Sequence, residues 1–207
     1  METFTYKEIL QQPSCWIKEY EVLLEEKTRI QAFLEKYLTN ETDIVLTGAG
    51  TSAFIGDAIA PLLRGVWKNV RAVATTDIVT NAADYLVADK PLLLISFARS
   101  GNSPESVAAV NLANAICKNV AHIYITCNKN GHLAQSANAE NILSLLLPEE
   151  TDDKSLAMTS SFSTMLLTCL MISQIDHIEA ERERIEAVAA NAQAVLSDYA
   201  GAIEAIA

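Results

Sequence analysis

Short apolar runs alternate with helical stretches through the middle of this chain, and this alternation restricts the fold more than any other feature. Five runs have the length and the branched, apolar composition of buried strands. They are residues 43–47, 70–74, 91–96, 120–126 and 141–147. Since strand, helix and strand in succession form a right-handed crossover, the pattern predicts an α/β fold built on a parallel sheet. Ligands bind such sheets at the carboxyl ends of the strands.

The remaining segments are predicted to be helices. Between the strands, helices are expected over 52–65, over 103–117 and, as one short turn, over 133–137. Towards the carboxyl end, one helix is expected from 160 or 161 and a second from about 178 to the last residue. Apolar residues recur along that last helix at steps of three and four, so it should pack on another surface.

The amino-terminal segment carries two signals for a helix start. Thr5 and Glu8 have the spacing of a capping box, and Pro13 is expected to interrupt the short helix that they open. Ser14 can then cap a long helix to about residue 38. This predicts three parts: a helical segment over 1–40, a sheet domain over 41–177 and a final helix over 178–207. Because the helical pattern runs to the last residue, we expect the chain to be part of a longer protein.

Charge and composition exclude several classes of function. The formal net charge is −11, which argues against sequence-independent binding of nucleic acid and against anionic membrane surfaces. Polar residues dilute the longest apolar stretch, 158–175, so no membrane span is expected. The four cysteines are scattered without a CxxC pair, which favours buried free thiols in a reducing cytoplasm. The histidines lack ligand spacing to them, so no metal site is expected.

The loop after the first predicted strand has the composition of an anion site. Gly48 and Gly50 allow positive φ and close backbone approach, while Thr51 and Ser52 supply hydroxyl groups. A helix N-terminus with free N–H groups follows, and phosphate suits such a position. The same residues also fit a dinucleotide-binding fingerprint, with Ala53 in the third small position, or a tight turn with a capping serine. This loop alone does not decide among the three.

The loop after the third predicted strand favours a compact phosphorylated ligand. Ser103 is a good N-cap and Pro104 a good first helical residue. Ser100 and Asn102 add polar groups beside that helix start, and Arg99 can donate a bidentate pair of hydrogen bonds. Two helix N-termini aimed at one point suit a compact phosphate better than an extended dinucleotide. A third cluster of hydroxyls, 159–161, opens another helix, where N-capping is the competing interpretation.

Four segments together carry a resemblance to a known family. Residues 46–57, 75–81, 92–110 and 157–161 resemble, in order and spacing, the SIS (sugar isomerase) domain family of phosphosugar-binding proteins. The similarity is greatest to the AgaS type, described as tagatose-6-phosphate ketose/aldose isomerase or galactosamine-6-phosphate deaminase. That type resembles a tandem of two SIS domains, and this chain matches the first. The resemblance implies a flavodoxin-like three-layer αβα sandwich with a five-stranded parallel sheet and long helices at both ends.

The resemblance also assigns roles to residues. It implies that Ser52 borders the sugar phosphate and that Ser100 and Ser103 are the principal phosphate hydroxyls. Ala98 replaces a serine of the commoner family pattern, and Arg99 is expected to compensate for that donor. Thr159 and Ser160 are implied to face the reactive end of the sugar. The full set of expected ligand-binding residues is Gly50, Thr51, Ser52, Arg99, Ser100, Asn102, Ser103, Thr159 and Ser160.

The implied chemistry moves a proton between C1 and C2 of a hexose 6-phosphate or amino-sugar phosphate, and in the deaminase releases ammonia. It needs a base but neither a metal nor a redox cofactor. Asp77 and Glu105 are candidate contacts, although a loop cap and a helix-dipole charge explain them as well. In related two-domain sugar-phosphate isomerases the glutamate that moves the proton lies on the second domain, so the resemblance implies a catalytic base outside this chain. The alternative function is a sugar-phosphate-sensing module without catalysis. In either case the apolar terminal stripe predicts a homodimer or larger assembly.

Overall fold

Residues 3–205 are described by the computed structural model, and a five-stranded parallel sheet lies at their centre. The strands are β1 (Asp43–Gly48), β2 (Val70–Ala72), β3 (Leu92–Ala98), β4 (Val120–Thr126) and β5 (Ile142–Leu146), in the order β2-β1-β3-β4-β5. All five agree with the predicted runs to within two residues at each end. The order reverses between β1 and β3, and this switch point is where ligands bind in open α/β sheets.

Helices cover both faces of the sheet. They are α1 (Phe4–Tyr37), α2 (Ala53–Leu63), α3 (Thr75–Thr80), α4 (Ala82–Tyr85), α5 (Pro104–Ile116), α6 (His132–Gln135), α7 (Ser160–Ser173), α8 (Arg182–Asp198) and α9 (Ala200–Glu204). Short 3-10 turns span Gly50–Ser52, Glu149–Thr151 and Ile175–Glu181. Side chains alternate along the strands, so Ile44 and Leu93 pack towards α1, α2 and α7, while Val45 and Leu94 pack towards α3 to α6. The predicted flavodoxin-like αβα sandwich is thereby confirmed.

The amino-terminal helix is continuous, and the predicted interruption at Pro13 is wrong. Proline removes one N–H from the helix ladder and leaves the carbonyl of Ile9 without its usual donor. The side chain of Gln12 donates to that carbonyl at 3.3 Å. Thr3, rather than Thr5, caps the first turn. The 34-residue helix packs along α7 and α8, where burial of its apolar face offsets the cost of the proline.

The carboxyl-terminal region is less regular than the single helix that was expected. It forms a 3-10 turn, then α8 and then α9. Of the predicted stripe, Ile185 is buried, and so is the neighbouring Ala189. Val188, Val195 and Tyr199 of the stripe are about half exposed. The expected packing therefore holds at Ile185 and not at these three residues, and the predicted helix end at 206–207 lies outside the described residues.

The four cysteines all lie within the described residues, and each is buried as a free thiol. No helix within residues 3–205 is both long and apolar enough to cross a membrane. The same residues contain no cluster of three or more His, Cys, Asp or Glu placed to hold a metal ion.

Candidate functional site

The loop after β1 is compact because its backbone folds back on itself. A Cβ atom at Gly48 would lie 2.6 to 2.7 Å from atoms of Ser52, so only glycine fits that position. Gly50 has φ of +56°, in the left-handed region that favours glycine. Together these two residues turn the chain into the start of α2 and bury Ser52, whose Oγ donates to Met158 Sδ at 3.7 Å. Gly48 and Gly50, the glycines of the dinucleotide-binding fingerprint, therefore form a tight turn that positions the hydroxyl of Ser52.

The loop after β3 presents hydroxyls at the start of α5. Ser103 is the N-cap, as predicted, and its Oγ accepts from the backbone N–H of Ser106 at 3.4 Å. The same Oγ donates to Ser106 Oγ at 2.6 Å. Ser100 Oγ accepts from the backbone N–H of Asn102 at 3.3 Å, which leaves its own hydroxyl proton available. Free N–H groups in the first turn of α5 add partial positive charge here.

These two loops close around one small cavity at the switch point. Its volume is about 140 Å³, and the segment that precedes α7 forms part of its wall through Met158. The polar side chains on its wall are Ser52, Arg99, Ser100, Ser103 and Ser106. A cluster of hydroxyl groups and one guanidinium around two helix starts has the donor set of an anion site.

Arg99 is the one cationic side chain among the described residues that line this cavity. It is half-buried, and its Nη1 donates to the backbone carbonyl of Ser155 at 3.0 Å. A guanidinium has five N–H donors, and this bond to Ser155 occupies only one of them. The remaining donors can bind an anion. This agrees with the expectation that Arg99 replaces the hydroxyl donor that is missing at Ala98, which is also on the wall.

Several predicted ligand residues lie outside the cavity wall. Asn102 Oδ1 accepts from the backbone N–H of His132 at 2.8 Å and so caps α6. Gly50 and Thr51 are exposed on the loop before α2. Asp77 is exposed in the first turn of α3, a helix that the sequence analysis missed. Glu105 lies in the first turn of α5, as expected of a helix-dipole charge, and also off the wall.

Thr159 and Ser160 are both held by other parts of the protein. The backbone N–H of Thr159 donates to Asp153 Oδ2 at 2.8 Å. Ser160 is buried, and its Oγ donates to the carbonyl of Glu8 at 2.7 Å and accepts from Gln11 Nε2 at 2.9 Å. In this structure the hydroxyls of Thr159 and Ser160 form hydrogen bonds that hold the start of α7 in place, and they do not line the cavity.

Other residues at or beside the cavity were not predicted from the sequence. Ser106 is buried on the wall, and its position three residues after the N-cap could have revealed it. Met158 is also on the wall, but no local pattern marks it. Asp153 accepts from the backbone N–H and the hydroxyl of Ser161 at 2.9 and 2.6 Å. That contact joins residues eight apart, beyond the reach of a capping pattern.

Candidate bases are absent from the wall of the cavity as far as residues 3–205 show: no carboxyl or imidazole group lines it. His122 is fully buried in β4, where its Nε2 lies 3.0 Å from Asn114 Oδ1, and burial lowers its pKa to about 4. His122 is therefore a packed core residue. A general base acting at this cavity would therefore have to come from residues beyond its wall.

A larger groove lies between α2, α7 and α8, and its wall is mainly apolar where that of the small cavity carries several polar side chains. This apolar groove, of about 740 Å³, is lined mainly by Leu62, Val66, Phe162, Leu166, Leu170 and Val188. Arg184 and Glu181 lie at its border as charges of opposite sign and form an ion pair at 2.8 Å. The groove therefore lacks the convergent donors that an anion needs, in spite of its size.

Comparison with known proteins gives consistent results. The model of the SIS domain family matches residues 37–174. D-galactosamine-6-phosphate deaminase AgaS from Escherichia coli is 50% identical over 198 residues, which cover 94% of this chain and 51% of that protein. The protein of the same name from Shewanella sp. (strain ANA-3) is 46% identical over 175 residues, 82% of this chain and 45% of its own length.

Among solved structures, tagatose-6-phosphate ketose/aldose isomerase from Escherichia coli superposes with a TM-score of 0.90 at 48% identity. The match covers 95% of this chain and 54% of that chain. This chain therefore spans about half the length of the relatives that it matches.

Proposed function

The chain belongs to the SIS domain family, and on that premise we propose that the cavity between the loops after β1 and β3 binds the phosphate group of a hexose 6-phosphate. One observation carries this proposal: the hydroxyls of Ser52, Ser100 and Ser103 and the guanidinium of Arg99 line one cavity at the switch point. Charge-assisted hydrogen bonds from such donors are among the strongest that a protein makes to phosphate. The family resemblance read from the sequence is confirmed.

Within this proposal, Ser100 and Ser103 donate to the phosphate oxygens, and Ser52 donates from the opposite loop. For this, the hydroxyl protons of Ser103 and Ser52 turn to the phosphate from Ser106 Oγ and Met158 Sδ, their acceptors in this structure. Ser106 keeps Ser103 oriented through the 2.6 Å contact of their hydroxyls. The proposed contacts of Thr159 and Ser160 with the sugar rest on the family resemblance alone, since their hydrogen bonds are made elsewhere in this structure. The same holds for Gly50, Thr51, Asn102, Asp77 and Glu105.

We propose that the reaction belongs to a longer protein that includes this chain, since the chain spans about half the length of its relatives. Galactosamine 6-phosphate and water give tagatose 6-phosphate and ammonia, and the related isomerisation interconverts an aldose and a ketose phosphate. Both begin with proton transfer between C1 and C2, which needs a positioned base. The base is proposed to lie outside this chain. Relatives that are named as a deaminase and an isomerase favour catalysis over the sensing alternative.

Several further properties are proposals of the same kind. The chemistry requires neither a metal nor a redox cofactor, and the acidic charge disfavours nucleic acid and anionic membranes as partners. A reducing cytoplasm suits the four free thiols. Self-association is proposed to bury the exposed apolar residues Val188 and Val195 of α8 against a second copy of the chain.

A thermal-shift panel at fixed ionic strength tests the proposed function. The ligands are galactosamine 6-phosphate, tagatose 6-phosphate, unphosphorylated galactosamine, inorganic phosphate and NAD. A ligand at 100 times its Kd stabilises the native state by about 2.7 kcal/mol, which is a readily measured shift. We expect a shift with the sugar phosphates and none with galactosamine or NAD. A shift with NAD alone would overturn the proposal.

A further inference from the structure

The segment between the 3-10 turn Glu149–Thr151 and α7 connects the cavity to the amino-terminal helix. Residues 152–159, here called the connecting segment, have no regular secondary structure. Met158 of this segment lines the cavity, and the carbonyl of Ser155 accepts from Arg99 at 3.0 Å. The position of the connecting segment therefore determines where the guanidinium of Arg99 is held.

Glu8 of α1 holds this segment at its middle. Its side chain is 94% buried, and its Oε1 accepts from the backbone N–H groups of Lys154 and Ser155 at 2.6 and 3.1 Å. Backbone N–H groups of an irregular segment lack helix or sheet partners, and the Glu8 carboxyl supplies an acceptor for these two. Its second oxygen has no hydrogen-bond partner among the described residues, which leaves these two bonds as the contacts of the Glu8 carboxyl group.

Ser155 thus lies between two charged side chains that do not touch each other. Its N–H donates to Glu8 and its carbonyl accepts from Arg99. A shift of Ser155 would move the acceptor that orients the guanidinium. A second tie fixes the end of the segment, where Ser160 Oγ donates to the carbonyl of Glu8 at 2.7 Å. One turn of α1 therefore anchors both the middle of the segment and the helix start beyond it.

We propose that Glu8 is a positioning residue for anion binding: it holds Ser155 so that the guanidinium of Arg99 is aimed into the cavity, where it binds the ligand's phosphate. This inference rests on the proposed function. Glu8 is not on the cavity wall and acts through Ser155 and Arg99. The role is distinct from helix stability, because its effect on affinity requires Arg99 to be present.

A double-mutant cycle on the full chain tests this role. Affinities for galactosamine 6-phosphate and for inorganic phosphate are measured for the wild type, Glu8→Ala, Arg99→Ala and the double variant. We expect Glu8→Ala to weaken binding roughly tenfold in the wild-type background and less than about twofold when Arg99 is already alanine. Glu8→Gln keeps an acceptor oxygen and should bind like the wild type. Glu19→Gln is the matched control, a buried carboxyl of the same helix that contacts Thr168 instead of the segment.

Hydrogen exchange of residues 152–159 is a second readout that needs no ligand. Exchange should rise in Glu8→Ala and stay unchanged in Glu8→Gln. Glu8→Asp, whose shorter side chain cannot reach both N–H groups, replaces Glu8→Ala if the alanine variant does not fold. Equal losses of affinity with and without Arg99, or no loss at all, would overturn the positioning role and leave the proposed function intact. Failure of the wild type to bind either ligand would overturn both, while exchange would still show whether Glu8 holds the segment.

Discussion

Helices α1 and α7 lie side by side, and the two ends of their contact use the same residue type for opposite purposes. At the cavity end, Glu8 accepts two backbone N–H groups of the connecting segment. About three helical turns further along α1, Glu19 is enclosed and pairs only with the hydroxyl of Thr168, at 2.7 Å. Burial raises the pKa of Glu19 to about 8. Environment, and not residue type, separates a carboxyl that can organise a site from one that belongs to the core.

The hydrogen bonds around Glu19 are consistent with a protonated carboxyl. Thr168 Oγ1 also lies 2.8 Å from the carbonyl of Thr164, and a hydroxyl has only one proton to donate. If Glu19 is protonated, it donates to Thr168, which in turn donates to Thr164. A neutral carboxyl therefore avoids the cost of a buried charge, while Oε2 of Glu19 has no hydrogen-bond partner among the described residues.

The apolar groove and the cavity at the strand ends show a parallel contrast. The groove between α2, α7 and α8 is larger, at about 740 Å³, but its wall is mainly apolar. The cavity at the strand ends is about 140 Å³ and carries the hydroxyls and the guanidinium. Donor chemistry, and not volume, identifies the anion site, while the apolar wall of the groove suits apolar contact.

The largest expected effect concerns the pH dependence contributed by Glu19. Its folded pKa of about 8 exceeds the ordinary value of 4.5, so the folded state holds a proton that the unfolded state loses. The stability from this group is complete below pH 4.5 and is lost as pH rises to 8, on the order of 1.4 kcal/mol per pH unit. Glu19→Gln removes this dependence, as chemical denaturation from pH 5 to 9 would show. The exposed Glu35→Gln is the control, and an unchanged slope in Glu19→Gln would contradict the account.

Removing one hydroxyl from the cavity should weaken phosphate binding without unfolding the chain. Ser100→Ala and Ser103→Ala each delete one hydrogen bond to a charged group, which costs about 1.5–3 kcal/mol, or roughly 10- to 150-fold in Kd. Calorimetric titration with galactosamine 6-phosphate measures the loss. Ser197→Ala, which removes a hydroxyl on the exposed face of α8, should bind like the wild type. Unchanged affinity in both cavity variants would place the phosphate elsewhere.

A Cβ at Gly48 should disturb the cavity end and leave the Glu19 region unaltered. It would lie within 2.7 Å of the backbone carbonyl of Ser52, so the loop must shift. We expect Gly48→Ala to lower the free energy of unfolding by about 1–3 kcal/mol and to weaken phosphate binding. Gly201→Ala, where a Cβ meets nothing within 4 Å, is the control for denaturation experiments. Wild-type stability and affinity in Gly48→Ala would show that this tight turn is unnecessary.

The smallest effect on folding is expected for a substitution at Val188, in the apolar groove between α2, α7 and α8. Val188 is half exposed, so Val188→Asp should change stability by less than about 0.5 kcal/mol and leave phosphate affinity unchanged. The charge should nevertheless oppose self-association through α8. Light scattering over a range of concentrations measures the mass of the wild type and the variant. A wild-type monomer at every concentration would contradict the proposed dimer.

Much of the fold could be predicted from the sequence because buried parallel strands are continuous apolar runs. All five strands were found in this way, and the Ser103 cap was found from its residue type and the proline that follows it. The continuity of α1 through Pro13 was not, because it depends on a side-chain bond from Gln12 and on packing against α7 and α8. Helices α3 and α4 were also missed, since segments of six and four residues show little periodicity.

The candidate site was predictable only in part. Loops that follow adjacent strands must meet at one edge of a sheet, so Ser52, Ser100 and Ser103 could be placed together. The contact of Glu8 with Ser155 joins residues 147 apart, and no local pattern reports it. Residue type could not distinguish Ser160, which is occupied by α1, from the hydroxyls that line the cavity.

Isothermal titration calorimetry of the wild-type chain with galactosamine 6-phosphate and with galactosamine tests the central claim most directly. The claim is that the cavity at the switch point binds the phosphate group. Affinity should be at least about 100-fold higher for the phosphorylated sugar, the equivalent of two hydrogen bonds to a charged group. That preference should fall by at least about tenfold in the Ser100→Ala/Ser103→Ala double variant, which keeps Arg99 and Ser52. Equal affinity of the wild type for the two sugars, or an unchanged preference in the double variant, would contradict the claim.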